Sequence, residues 1–331
     1  MTSTIPHRLA ALRLAMRERG IAYCIVPTAD PHLSEYLPEH WRTREWLSGF
    51  TGSAGTLVVG TDFAGLWTDS RYFEQAEREL AGSGIKLMKL GVPHTPEHAG
   101  WLCEHVREGD RVACAAEMLS LACERSLREQ LERRRAQLIE DDLPAQIWND
   151  RPPLPSAPVF EHPLEYAIRS RAEKLVAVRE AIRARGATHH LVSALDEIAW
   201  VLNLRGSDVE YNPVFLAHVL IDAERVTLFV DASKFSCSAP APASAGRLGG
   251  GVRTAQDSPP PQPCPANARG GPEATGQNNL IEQLQNGGIS VAPYESIGEA
   301  LGNLPQDAKL LIAPEQISAA VAHTIPAHVQ L

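Results

Sequence analysis

Residues 17–30 read RERGIAYCIVPTAD, and residues 183–196 read RARGATHHLVSALD, so Arg17, Arg19, Gly20, Val26 and Asp30 return as Arg183, Arg185, Gly186, Val192 and Asp196. Three further blocks recur in the same order: WLSGFTGS at 46–53 with WVLNLRGS at 200–207, LWTDSRYF at 66–73 with LFVDASKF at 228–235, and GIKL at Gly84 with GISV at Gly288. Four ordered matches predict two copies of one fold. A chain of 331 residues is long enough for two such domains, each with its own core.

Each copy reads as helix, glycine stop and apolar strand. Leu9, Leu12 and Met16 recur at helical spacing among arginines, which fits an ordinary first helix better than a mitochondrial presequence. Gly20 supplies a left-handed cap, and Ala22–Val26 follows as a buried strand. Ala172–Arg185, Gly186 and Leu191–Ser193 repeat the order. Thr56–Val59 and Gly65–Thr68 form a hairpin, as do Phe215–Ile221 and Val226–Val230. A helix at Tyr72–Leu80, a strand at Ile85–Leu90, a helix at Glu97–Val106 and a strand at Arg111–Ala115 complete the first copy. The class is α/β, with a mixed sheet flanked by helices in each copy. The expected boundaries are 1–149 for the first domain, a Pro-rich linker at 150–160 built on DRPPLP, and 161–331 for the second.

The fourth block is displaced by about 42 residues, so an insertion lies between Phe235 and Gly288. Its stretch from Ser236 to Gly276 holds eight prolines and seven glycines and little large apolar content, so it is expected to be a disordered loop. A genuine insertion and a frame-shifted or unspliced stretch both remain open.

Several function classes fall away. A formal net charge of -9 argues against a nucleic-acid or anionic-membrane surface, and no apolar run has the roughly 18 residues a span requires. The basic run Arg133-Arg134-Arg135 reads as the solvated face of a helix. Six cysteines make no CxxC pair and no zinc spacing, which suits a reducing cytoplasm. There is no HExxH, P-loop or GxSxG motif. The run Gly49–Gly55 precedes a strand and reads as a tight structural loop. His94 and His98 read as solvated helix-start residues, and the adjacent His189 and His190 point to opposite sheet faces. No catalytic or metal-binding residue is expected. The remaining candidate is Arg71: Asp69 and Asp231 are equivalent helix N-caps, but Ser233 stands where the first copy has Arg71. A guanidinium at a strand end suits carbonyl or carboxylate groups, or a surface ion pair.

The blocks TREWLSGFTGSAGTLVV, LWTDSRYFEQAEREL, IWNDRPPLP and SALDEIAWVLNLRGSDVEYNPVF resemble the N-terminal domains of cytosolic-type Xaa-Pro aminopeptidases, in the creatinase/prolidase group. The resemblance implies two creatinase-N-type, ribonuclease-H-like domains. It also implies removal of an N-terminal residue that precedes proline, by two divalent metal ions, usually manganese. The metal ligands lie in a C-terminal pita-bread domain that has no counterpart before Leu331. On this resemblance the chain carries no cofactor and is inactive alone. It shapes the cleft for peptides with proline second, contacts substrate through Arg71, and forms a cytoplasmic homodimer in full-length form. The competing expectation is a non-enzymatic peptide- or protein-binding module of creatinase-like fold.

Overall fold

In a computed structural model the chain is described at residues 4–93, 95–235 and 278–331. The expected loop at 236–276 therefore lies outside the described residues, as do Cys237, Cys264 and His94.

The first lobe runs α1 (Ile5–Glu18), β1 (Tyr23–Pro27), α2 (Thr43–Ser48), β2 (Thr56–Gly60), β3 (Ala64–Thr68), α3 (Phe73–Glu79), β4 (Lys86–Lys89), α4 (Glu97–His105), β5 (Arg111–Cys114), α5 (Leu121–Glu132), β6 (Gln137–Glu140) and α6 (Leu143–Ile147). The second runs β7 (Phe160–Glu161), α7 (Leu164–Ala167), α8 (Arg171–Ala184), β8 (His189–Val192), α9 (Leu195–Leu202), β9 (Leu204–Arg205), β10 (Ala217–Ile221), β11 (Val226–Val230), α10 (Asn278–Asn286), β12 (Ile289–Ala292), α11 (Ile297–Gly302), β13 (Leu310–Leu311) and α12 (Ala319–Ala322).

The duplication is visible in the pairing. The first sheet is ordered β4-β3-β2-β1-β5-β6, the second β12-β11-β10-β8-β13. In the first, β2 alone is antiparallel to its neighbours; in the second, β10 holds that place. A parallel bridge from Lys309 to Gln330 takes the position that β6 has beside β5. Gly20 (φ 64°) and Gly186 (φ 69°) both end their helices in the left-handed region, where a side chain would be strained. Alternation sorts the strands: Cys24 and Val26 pack under α1 with Leu9, Leu12 and Met16, while Ile25 joins the opposite face with Val58 and Leu102.

Three local expectations need correction. The first copy does not end near Ala115, because α5 and β6 extend it. Arg133–Arg135 lie in the turn after α5, not on a helix face; Arg135 has φ 56°, which stops the helix. β8 of the second lobe starts at His189, two residues earlier than the apolar run, because β13 pairs with His189 and His190.

The lobes are joined by backbone as well as side chains. Leu121 N donates to Ile317 O (3.0 Å) and Ala319 N to Leu119 O (2.8 Å), and Leu121 sits in the core that α11 and α12 build. His32 from the first lobe enters the second: one ring nitrogen bonds Ser193 O (2.8 Å), the other the Tyr294 hydroxyl (2.8 Å), and its ring lies 4.5 Å from that of His218. Burial pushes both imidazoles below their ordinary value of 6.5; for His32 this outweighs the pull of Asp30, and for His218 the neighbouring His32 adds to it. The unfolded chain therefore takes up protons first, so the contribution is complete above about pH 6.5 and is lost as pH falls. We expect the denaturant midpoint to drop between pH 7.5 and 5.5, and His218→Gln to flatten that dependence. A midpoint equally pH-dependent in the variant would contradict the assignment.

Candidate functional site: a groove at the strand ends of the first lobe

At the end of β3 the chain turns through Ser70–Tyr72 into α3, and Asp69 governs the turn. Its buried carboxylate caps the backbone N–H of Arg71 (3.1 Å) and also takes Arg71 Nε (2.9 Å) and Nη2 (2.8 Å). The carboxylate holds the guanidinium's pKa above its ordinary value, chiefly through that hydrogen bond. A bidentate pair fixes the guanidinium plane and leaves Nη1 as its unused corner. The Arg71 side chain is 54% exposed at a cavity of about 430 Å³, lined also by Glu35, Ser53, Thr95, His98 and Cys123.

Ser53–Gly55, the end of the Gly49–Gly55 loop, line this groove, and a buried arginine shapes the loop. Arg44 on α2 donates to Thr28 Oγ1 (2.8 Å), Phe50 O (2.8 Å) and Gly52 O (2.5 Å), with no carboxylate in contact. Burial lowers its pKa to about 10, so it keeps its charge at neutral pH. A Cβ on Gly52 would lie 2.3 Å from the Phe50 ring, which explains the glycine by close approach. Ser53 Oγ and the Tyr72 hydroxyl, 2.7 Å apart, tie the loop to the Arg71 turn. The loop is structural, as expected, and it carries the groove.

His98 departs from its reading as a solvated residue. It is half-buried, its ring 6.4 Å from Trp67, and burial brings its pKa down to about 4. It is a neutral wall of the groove at neutral pH.

The second lobe has lost this chemistry. Asp231 caps Ser233 N (2.8 Å) as Asp69 caps Arg71, but the next residue, Lys234, turns inward. Its Nζ lies 2.7 Å from each oxygen of Asp208 and 2.6 Å from Pro155 O. Lys234 stands where the first copy has Tyr72, so the alignment held a signal for this pair that composition alone hid.

Among the described residues, one group has ligand atoms close enough to share an ion: Glu124, Glu140 and His323, all within 4.8 Å of one another. Arg128 already bridges the carboxylates, 2.5 Å from Glu124 and 3.3 Å from Glu140, so they have a cation. His323 from α12's end lies 3.2 Å from Glu140 and 4.0 Å from Glu124, so the second lobe packs a ring against this first-lobe ion-pair network.

Residues 8–142 and 150–252 each match the creatinase/prolidase N-terminal domain. Aminopeptidase P2 of Arabidopsis thaliana is 34% identical over 328 residues, covering 97% of this chain and 40% of that protein. The chain belongs to the aminopeptidase P family. A probable Xaa-Pro aminopeptidase P of Talaromyces stipitatus is 41% identical over 71% of the chain, and the Drosophila melanogaster Xaa-Pro aminopeptidase is 40% identical over 65%. The X-prolyl aminopeptidase of Caenorhabditis elegans, a cytosolic enzyme with a di-nuclear active site, superposes with a TM-score of 0.80 at 23% identity, over 99% of this chain and 49% of that one. The fold is thus two tandem creatinase N-type domains. The chain spans 35–40% of these aminopeptidase P relatives' length. The described residues do not fit a di-nuclear centre: the single three-residue group is too small, and a guanidinium sits on its carboxylates. No helix among them is long and apolar enough to cross a membrane.

Proposed function

We propose that this chain is the non-catalytic, cleft-shaping portion of a metal-dependent aminopeptidase that releases the residue preceding proline. In this reading residues 1–149 form the substrate-facing domain, 150–160 the linker and 161–331 the supporting domain. The catalytic metals, manganese by family resemblance, are held outside these residues, and the assembled enzyme is a cytoplasmic homodimer acting on peptides with proline second.

The observation that carries the reading is the Asp69-clamped guanidinium of Arg71 at the groove. Its function would be to donate to a peptide carbonyl or carboxylate and orient the chain before cleavage, since a fixed donor loses little freedom on binding. Asp69 acts through Arg71 as a positioning residue. In the enzyme joined to its catalytic portion, we expect Arg71→Ala to raise KM about tenfold with little change in kcat, the pattern of a lost ground-state contact. Unchanged KM and kcat would remove Arg71 from the site.

A further inference from the structure

A second cavity, of about 430 Å³, adjoins the Arg71 groove: Thr28, Glu35 and Ser53 line both. Tyr36 and Arg42 line it from the first lobe, Glu210 and Tyr211 from the second. The Gly49–Gly55 loop contributes Thr51 and Gly52 to the same wall.

The second lobe reaches this cavity through a tight turn with a firm base. Val209 and Val214 are buried in one apolar cluster with Leu195 and Leu216, so both flanks of the turn are rooted in the second lobe. Asp208 N donates to Val214 O (3.1 Å) and Asn212 N to Val209 O (3.3 Å), which closes the turn. The buried Asp208 carboxylate takes Leu216 N (2.7 Å) and Lys234 Nζ (2.7 Å), a clamp on the same segment. Two residues are left at the tip. Glu210 meets Arg42 Nη2 across the lobes at 3.1 Å, and Tyr211 follows it.

Tyr211 is the unusual member. It is 85% exposed and stands at φ 63°, in the left-handed region that a bulky aromatic residue seldom adopts. Its own burial does not compensate for that conformation, which makes the turn a candidate for a binding role. Tyr36, on the first lobe's side of the cavity, is 44% exposed. Amphipathic rings at the wall of a cavity are common anchors for the apolar groups of a ligand. The rooted turn holds Tyr211 in place before anything binds, so little ordering remains to be done on association.

We propose that this cavity is a subsite for the tail of a peptide substrate: the chain held at Arg71 runs on past Glu35 and Ser53, and an apolar side chain farther along it packs against Tyr36 and Tyr211. The proposal deepens the Arg71 reading and rests on it. The test is calorimetric titration of the full 331-residue chain with Ala-Pro-Pro, Ala-Pro-Pro-Gly-Leu-Gly and Ala-Pro-Pro-Gly-Gly-Gly. The leucine hexapeptide is expected to bind about tenfold more tightly than the tripeptide, a gain within reach of one apolar side chain on aromatic rings. Tyr211→Asn tolerates the left-handed backbone and removes the ring, and it should bring that ratio close to one. Tyr211→Phe keeps the ring and should restore the ratio. Arg71→Ala should weaken both peptides and leave the ratio in place. Equal binding of the tripeptide and the leucine hexapeptide would overturn the proposal. So would an all-glycine tail that binds as tightly as the leucine tail, or a ratio that survives Tyr211→Asn. Unchanged affinities in Arg71→Ala with the Tyr211-dependent ratio intact would strike the Arg71 contact and uphold the tail subsite.

Discussion

Lys234→Met is expected to lower the unfolding free energy by about 3–5 kcal/mol, the range for removing one partner of a buried ion pair. The side chains of Lys234 and Asp208 are 2% and 0% exposed. With lysine absent, Asp208 keeps only its backbone donors, such as Leu216 N at 2.7 Å, and must remain charged in a dry site or take a proton. Burial already raises its pKa against the pull of Lys234, so protonation is the escape and the variant should lose less at low pH. The damage also reaches the linker, because Nζ holds Pro155 O. The double variant Lys234→Met/Asp208→Leu should recover part of the loss, since it leaves no orphan charge. A denaturant midpoint that falls at unchanged slope is the signature sought. A Lys234→Met midpoint matching the parent would mean that the pair contributes nothing.

Arg44→Met is expected to cost a similar amount, about 3–6 kcal/mol from two or more buried acceptors left unmet. Phe50 O and Gly52 O both face the guanidinium from the groove loop, and the charge lies 4.9 Å from the centre of the Phe50 ring. Methionine fills much of the volume but donates nothing, so the loop must open to find water. Lysine should rescue poorly, because one ammonium cannot reproduce a planar fork reaching three acceptors. Hydrogen exchange over residues 49–55 should rise in the variant while α1 and β1 stay protected. Protection of the loop equal to that of the parent would show that it keeps its shape without Arg44.

The duplicated architecture was legible because it rests on local signals that survive divergence: Gly20 and Gly186 as caps, Asp69 and Asp231 as caps, and the alternating apolar strands between them. Arg71 stood out as the point at which the copies disagree. What the sequence hid are long-range partnerships. His32 meets Tyr294 across 262 residues, and nothing near either position announces it. Arg44 looks like an ordinary surface arginine of a short helix, and Lys234 like a helix-start lysine; both are buried because of loops folded over them from elsewhere. His98 on α4 carries no local mark of its burial, since Trp67 reaches it from β3. The charged run at Arg133–Arg135 misled in the opposite sense: helical composition continues past Glu132, but Arg135 turns left-handed and ends the helix.

If, as proposed, the two lobes position a peptide and the metal ligands lie outside them, the isolated chain should cleave nothing. Incubating the purified 331-residue chain with an Arg-Pro-Pro peptide and manganese, and measuring free arginine, addresses it directly. The expected result is no release above the peptide-alone background. Turnover that follows the chain through purification and is abolished by a chelator would place a working metal site within these 331 residues.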